Sequence, residues 1–442
     1  MIRYATGLLN RWKNDGLRKP LIVRGARQVG KTWLMKDFGN KNYINTAYIN
    51  FENAPALKNL FTEDFNISRI INAIEIETGE EIKKEETLII FDEIQEVKRG
   101  VTALKYFYEN APEYHVMAAG SLLGIGMHRH TSFPVGKVDF LNLYPMTFSE
   151  FLSAAGEKKL LKLLIDKDYT LIKTFKNKFI NLLKQYYFTG GMPEVVSVYF
   201  ETGSYNKARD IQNKILAGYE LDFSKHAPPK EIPLIRMLWN SIPAQLSKEN
   251  KKFIYSAVKK GARAKDFETA LNWLVDSGIV YKIHRVSKPG LPLNAYEDFT
   301  AFKLFLSDVG LLGAMSDLSV KTIIEESKIF EEFKGVLSEQ FVLQQLKATI
   351  DKRIFYWSAQ KSQAEIDFIF QINDNIYPVE VKAKENLQSK SLKSFFSKYP
   401  ETKPLRFSMS DFRKESWLTN IPLYMVNTIN DTPSFFTTFA AL

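Results

Sequence analysis

One stretch near the start of the chain has the residue types and spacing that bind phosphate groups. It comprises Gly25, Ala26, Arg27, Gln28, Val29, Gly30, Lys31 and Thr32, which match the pattern G-x-x-x-x-G-K-[ST]. The glycines allow a tight loop whose backbone amides turn inward toward the phosphates. In such a loop the Lys31 ammonium contacts the β and γ phosphates, and the Thr32 hydroxyl is a ligand of Mg²⁺. The stretch therefore predicts a site for ATP with Mg²⁺.

The neighbours of this loop have the order that its chemistry requires. An apolar run at 21–23 predicts a buried strand, and helix-forming residues follow at 33–36. The loop then lies where a helix begins, and the helix amino terminus adds free amides and a positive dipole end. The alternative is a glycine-containing turn that binds nothing, and this context disfavours it.

Two carboxylates, Asp92 and Glu93, follow the apolar run 88–91 and end another predicted buried strand. We expect Asp92 to hold the hydration shell of Mg²⁺ and Glu93 to polarise the attacking water. Two acidic residues at a strand end are common by themselves. Their place about sixty residues after a phosphate loop favours the catalytic interpretation.

Three further polar residues are weaker candidates for the same site. Ser121 ends the next predicted strand, where its hydroxyl would contact the γ-phosphate or the water, and the alternative is a serine that only ends the strand. Hydrolysis also needs a cation against the charge that develops on the phosphoryl group. Arg129 is the first candidate for that cation and Lys137 the second, although isolated basic side chains usually lie in solvent.

A second group of charged residues is predicted to meet on a hairpin in the last third of the chain. Two predicted strands flank the turn sequence Asn373-Asp374-Asn375. If its first two residues form the centre of the turn, Asp367 lies opposite Glu380, and Lys382 shares their face because strand side chains alternate. A shift of one residue would send Asp367 to the other face. Glu339, on a preceding predicted helix, would add a third carboxylate.

Composition excludes several classes of chemistry. The chain of 442 residues has no cysteine, so disulfides, thiol catalysis and thiolate metal sites are excluded. The first residues lack the apolar run of a signal peptide, and we expect a cytoplasmic protein that does not cross a membrane. The formal net charge of +10 mildly favours an anionic partner such as nucleic acid.

The order of predicted elements indicates an α/β protein with several domains. Strands and helices alternate in 1–150, which predicts a P-loop core with a doubly wound parallel sheet. Residues 151–240 are predicted to form a helical lid, and 241–300 a winged-helix-like region of two helices and a hairpin. Residues 301–442 are predicted to form a small α/β domain, whose Asp367, Glu380 and Lys382 resemble the core of the restriction-endonuclease fold.

Several of these motifs together resemble one group of prokaryotic AAA-type ATPases. They are the loop 25–32, Asp92-Glu93-Ile94-Gln95, Gly120-Ser121, Leu143-Tyr144-Pro145-Met146-Thr147-Phe148, Gly191-Met192-Pro193-Glu194, and Glu339 with Glu380-Val381-Lys382. The resemblance covers nearly the whole chain and implies ATP binding and hydrolysis in the cytoplasm. The C-terminal half of these proteins is a domain of unknown function, so the resemblance does not name a biological task.

The C-terminal constellation is similar to the core of PD-(D/E)xK nucleases. That resemblance implies that Glu339, Asp367 and Glu380 bind Mg²⁺, and that Lys382 positions or activates the attacking water. The alternative is a nuclease-like fold whose charged residues only pair with one another.

Two functions stay open at this point. The first is a Mg²⁺-dependent ATPase that controls a DNA-directed, nuclease-like module, and the second is a nucleotide-switched scaffold that holds DNA or protein without cutting. Lys259, Lys260, Arg263 and Lys265 form the local basic patch for DNA, and a solvated face is the alternative. A protein partner, including a second copy of the chain, also stays open.

Overall fold

A five-stranded parallel sheet carries the phosphate loop at its carboxyl edge. The computed structural model describes residues 1–57, 59–62, 64–120, 134–248, 251–324, 328–359, 364–383 and 389–429. The strands of this sheet are β1 (Leu21–Arg24), β2 (Asn45–Asn50), β3 (Thr87–Asp92), β4 (His115–Ala119) and β5 (Asp139–Asn142), in the order β2-β3-β4-β1-β5. All neighbours pair in parallel. The predicted parallel sheet is confirmed.

The middle strands are buried on both faces, as their continuous apolar runs require. Every residue of β3 is buried. The helices that cover this sheet are α1 (Ala5–Asn14), α2 (Lys31–Asn42), α3 (Ile67–Thr78) and α4 (Gly100–Asn110). The sequence of 56–84 predicts one helical stretch, but the structure differs. A 3₁₀ turn (Pro55–Leu57) comes first, and α3 follows, capped at its start by Asn66 and ended by Gly79, with φ of 71°.

A run of helices follows the parallel sheet, as predicted. They are α5 (Phe148–Ala154), α6 (Lys158–Asp166), α7 (Tyr169–Thr174), α8 (Lys176–Thr189), α9 (Pro193–Thr202), α10 (Tyr205–His226) and α11 (Ile232–Leu246). Thr147 and Glu150 form a capping box at the start of α5, with each side chain bonded to the other's backbone amide. Within the described residues, none of the helices has the length and apolar character needed to span a membrane.

The second sheet has eight strands in mixed orientation. Its strands are β6 (Val280–Val286), β7 (Glu297–Leu306), β8 (Ile354–Ser358), β9 (Glu365–Ile372), β10 (Asn375–Lys382), β11 (Leu405–Ser408), β12 (Arg413–Lys414) and β13 (Thr419–Pro422), in the order β12-β13-β11-β10-β9-β8-β6-β7. The helices around it are α12 (Tyr255–Val258), α13 (Ala264–Asp276), α14 (Val309–Met315), α15 (Val320–Ile324), α16 (Lys328–Thr349) and α17 (Lys390–Lys398).

The hairpin of the expected winged helix belongs to this second sheet. Two helices and the β6–β7 hairpin do follow one another in the predicted order. However, β6 also pairs in parallel with β8, so the hairpin extends the C-terminal sheet. The expected domain boundary between 300 and 301 therefore falls inside β7. The winged-helix assignment itself stays a prediction.

The register of the β9–β10 hairpin agrees with the turn that the sequence predicts. Asn375 pairs with Ile372 and Val379 pairs with Phe368, which leaves the two central turn residues between the strands. Asn373 takes a φ of 51°, a left-handed conformation that asparagine tolerates well. Continuing the same register places Asp367 across from Glu380, on one face of the sheet.

Helix α16 joins the second sheet to the rest of the molecule through buried glutamines. The side chain of Gln345 accepts a hydrogen bond from the Phe148 amide of α5 at 2.8 Å. Gln344 accepts one from the Val309 amide and donates to the Tyr186 hydroxyl, each at 2.9 Å. Since one continuous apolar core also includes residues from all of these elements, the helices and both sheets pack as a single body.

Candidate functional site

The phosphate loop has the curled backbone that its two glycines allow. Gly25 and Gly30 have φ values of 151° and 90°, and α2 begins at Lys31. A Cβ atom at Gly25 would lie 2.1 Å from the carbonyl oxygen of Leu143, so only glycine fits there. The Lys31 ammonium donates hydrogen bonds of 2.9 Å to the carbonyl oxygens of Gly25 and Ala26. Burial lowers the pKa of Lys31 to about 8, while Glu93 and Asp92 act in the opposite direction.

The two predicted Mg²⁺ partners lie in direct contact. The Thr32 hydroxyl donates to Asp92 Oδ2 at 2.6 Å, and the Tyr48 hydroxyl donates to the same oxygen at 3.0 Å. Asp92 is buried at the end of β3. Burial raises the pKa of Tyr48, and the Asp92 carboxylate adds to that shift. These hydroxyl and carboxylate oxygens are the hard donors that Mg²⁺ prefers, so the residues fit that ion.

Glu93 follows Asp92 in a strained conformation. Its φ of 50° lies in the left-handed region, which is uncommon for a residue other than glycine. Its carboxylate accepts a hydrogen bond of 2.5 Å from the Gln95 side chain. The Glu93 charge also acts on Lys31, whose pKa it raises, so Glu93 lies within electrostatic reach of the phosphate loop.

Of the three weaker candidates for this site, the structure describes only Lys137. Ser121 and Arg129 lie outside the described residues, so their roles stay predictions. Lys137 forms an ion pair of 3.0 Å with Glu109 on α4. The Lys137 ammonium is therefore already paired on α4.

Arg3, a buried residue that sequence reasoning missed, donates a hydrogen bond to the backbone of the phosphate loop. Arg3 Nη1 donates to the carbonyl oxygen of Val29 at 2.9 Å, and Nη2 donates to the carbonyl oxygen of Tyr144. Its Nε pairs with Glu150 at 2.9 Å, with both side chains 3% exposed. A lone arginine far from any motif offers no sequence signal for this role.

Helix α10 contacts the loop from the other side. Arg27 forms an ion pair of 2.5 Å with Asp222, and the Tyr219 hydroxyl donates to the carbonyl oxygen of Arg27 at 3.0 Å. Burial raises the pKa of Asp222, and Arg27 opposes that shift. The helical region predicted as a lid therefore touches the residues that would hold the phosphates.

The C-terminal charged residues fall into two groups. Glu380 and Lys382 pair at 3.2 Å on β10. Glu339 and Asp367 belong instead to an acidic cluster, which we define as Glu339, Glu365, Asp367, Lys251 and Lys303. In it Lys251 pairs with Glu339, and the fully buried Lys303 pairs with Glu365. The two lysines come from outside the predicted motif, and sequence reasoning missed both.

The charged groups of the acidic cluster shift one another's pKa values. Burial raises the pKa of Asp367 to about 7 and the Glu339 charge adds to this, while Lys303 and Lys251 oppose it. Burial disfavours the charge on Lys303, but the carboxylates of Glu365, Glu339 and Asp367 still raise its pKa. The Val381 amide donates to Asp367 Oδ2 at 2.7 Å.

A metal ion would need several carboxylate oxygens around one point, and the carboxylates of the acidic cluster are not arranged in that way. Among the described residues, no three acidic or histidine side chains are arranged to hold a metal ion. Oxygen Oε2 of Glu339 and Oε2 of Glu380 are nevertheless buried and have no hydrogen-bond partner in the described part of the chain. The metal role of Glu339, Asp367 and Glu380 and the catalytic role of Lys382 stay predictions.

The predicted basic patch lies on the surface around α12 and α13. Its four side chains are exposed, at Lys259, Lys260, Arg263 and Lys265. Exposure is compatible with binding to a phosphate backbone and equally with a solvated face.

Comparison with known families divides the chain into three parts. Residues 17–152 match the family described as AAA domain. Residues 180–322 and 334–425 match two families that are each described as a domain of unknown function, DUF8612 and DUF4143. No curated protein matches the chain.

Three solved structures are distantly similar to the chain. A Walker-type ATPase of Pyrococcus abyssi is 14% identical with a TM-score of 0.43, over 71% of this chain and 94% of that one. The ORC1 protein of Aeropyrum pernix in complex with DNA is 11% identical with a TM-score of 0.26, over 74% and 94%. Protein VC1899 of Vibrio cholerae is 13% identical with a TM-score of 0.18, over 96% and 99%. The phosphate loop, Asp92 and Glu93 all lie within residues 17–152, the range that matches the AAA domain family.

Proposed function

We propose that the chain binds ATP at the phosphate loop and hydrolyses it in a Mg²⁺-dependent reaction. The observation that carries the proposal is the contact between Thr32 and Asp92 at 2.6 Å, directly beside Glu93 and at the foot of the loop. The Thr32 hydroxyl and the buried Asp92 carboxylate would form the metal site. Glu93, the next residue after Asp92, would be the base. The match of residues 17–152 to the AAA domain family supports the same function.

Each residue would have a distinct role in this reaction. Lys31 would bind the β and γ phosphates, and Thr32 and Asp92 would hold Mg²⁺, which supplies positive charge against the transferred phosphoryl group. The Glu93 carboxylate would orient the attacking water and take its proton. Arg129 remains the proposed additional cation and Ser121 the proposed contact to the γ-phosphate.

Replacing Lys31 with alanine tests nucleotide binding. We expect Lys31→Ala to bind ATP about tenfold to a hundredfold more weakly, because one charge-assisted contact to the phosphates is lost. Equilibrium dialysis with labelled ATP and Mg²⁺ measures this. Lys41→Ala on the exposed side of α2 is the matched control and should bind like wild type. Equal affinity of Lys31→Ala and wild type would contradict the proposed site.

For the second sheet we propose metal-dependent cleavage of DNA. Two findings favour it. The β9–β10 register, continued by one pair beyond Val379 and Phe368, places Asp367 across from Glu380. The buried Oε2 atoms of Glu339 and Glu380 have no hydrogen-bond partner among the described residues. The exposed basic patch would contact the DNA backbone. The alternative is the nucleotide-switched scaffold, which holds DNA or protein without cutting. A cytoplasmic location and assembly with a second copy are proposals that rest on the family resemblance.

The cleavage proposal predicts a specific loss in Asp367→Asn. We expect wild type to nick plasmid DNA with Mn²⁺, and Asp367→Asn to be slower by about a hundredfold because a metal ligand is lost. Asp374→Asn, in the exposed turn of the same hairpin, is the control. ATP turnover should be unchanged in both variants. Wild type that turns over ATP but leaves plasmid intact would favour the scaffold.

A further inference from the structure

Lys251 reaches the acidic cluster from a segment outside the second sheet. It lies between α11 and α12 and belongs to no helix or strand. Its ammonium contacts Glu339 Oε1, and the two side chains are 11% and 12% exposed. The segment is fixed to the edge of the sheet, because the Phe253 amide donates to the Phe302 carbonyl oxygen of β7 at 2.8 Å.

Charge balance limits which cations the cluster can hold at once. With all groups ionised, the three carboxylates of Glu339, Glu365 and Asp367 exceed the two lysines by one negative charge. A divalent cation added to this set would leave a net positive charge in a buried place, which is costly. Release of one lysine would restore neutrality.

The two lysines of the cluster differ in how firmly they are held. Lys303 lies inside β7, and its side chain has no exposed surface. Lys251 lies outside any helix or strand, and its side chain is 11% exposed. Glu339 thus has one oxygen on Lys251 and the other, Oε2, buried without a partner among the described residues.

We propose that Lys251 takes the position of a metal ion at Glu339, and that a divalent cation binds the acidic cluster only when Lys251 leaves it. The proposal rests on the metal-dependent cleavage proposed above. The lysine would act as a built-in block, which keeps Glu339 paired until the Lys251 side chain withdraws from it. The substitution Lys251→Met should therefore create an open cation site in a chain that otherwise folds as before.

The test is Mn²⁺ binding to the full chain without nucleotide, followed by the electron paramagnetic resonance signal of free Mn²⁺. We expect Lys251→Met to bind one Mn²⁺ about tenfold or more tightly than wild type, because a positive charge next to the ion is removed. The neighbouring exposed residue supplies the matched control, Lys252→Met, which should bind like wild type. The double variant Lys251→Met/Glu339→Gln should lose the gain, which locates the site.

Unchanged Mn²⁺ affinity in Lys251→Met would overturn the proposal. Lys251→Gln is a second variant should the methionine disturb folding, and ATP turnover reports on the intact fold of both. Plasmid nicking is measured in parallel. Gain of Mn²⁺ binding without nicking would support the block by Lys251 and contradict cleavage, so the two proposals fail separately.

Discussion

Replacing Glu93 with glutamine should leave ATP binding intact and reduce ATP turnover by about a hundred- to ten-thousandfold, the range for loss of a general base. The amide has the size of the carboxylate but takes no proton from water. The Lys31 contacts to the loop and the Thr32–Asp92 contact do not involve the Glu93 carboxylate, so the binding residues stay in place. The result would be a chain that retains bound ATP.

The measurement is phosphate release at saturating ATP, together with ATP affinity by dialysis. Glu96→Gln is the matched control, since Glu96 is exposed in the same turn. This variant should hydrolyse ATP like wild type. Parallel loss of binding and turnover in Glu93→Gln would mean that Glu93 shapes the loop instead of acting on water. Retained turnover would assign the base to another residue.

Local patterns were enough to predict the phosphate loop and the β9–β10 hairpin. The curled backbone of Gly25 to Thr32 forms within this short stretch, so the spacing of its glycines and the flanking strand and helix predict it. The hairpin register follows from one turn, Asn373-Asp374, and that turn fixes the face of every residue in both strands. In both cases the interacting groups are close in sequence.

The partners that decide the charge of each site could not be predicted in this way. Lys251 is 88 residues from Glu339, Lys303 is 62 residues from Glu365, and Arg3 is 147 residues from Glu150. Nothing in the local sequence of these residues marks them, because their role arises only when distant elements pack. The predicted boundary at 300 falls inside β7 for a similar reason. Neither strand's local sequence shows that β6 pairs with β8, which is distant in the chain.

Arg3 shows how much such a distant contact can contribute to stability. Arg3→Met should lower the free energy of unfolding by about 3 to 5 kcal/mol, because Glu150 would keep a buried charge without its cation. Glu150 would retain the hydrogen bonds from the Tyr4 and Thr147 amides. Neutralising the stranded carboxylate should help, so Arg3→Met/Glu150→Gln should recover part of the loss.

A double-mutant cycle measures the coupling between Arg3 and Glu150. It compares urea unfolding of wild type, Arg3→Met, Glu150→Gln and the double variant. ATP affinity, measured under folding conditions, separates stability from loop support. Arg3→Lys keeps the charge but presents one ammonium where the guanidinium serves Val29, Tyr144 and Glu150 at once. We therefore expect Arg3→Lys to recover part of the stability and still bind ATP more weakly than wild type. Full recovery of both properties by lysine would show that only the charge at this position matters, and that Val29 needs no support from Arg3.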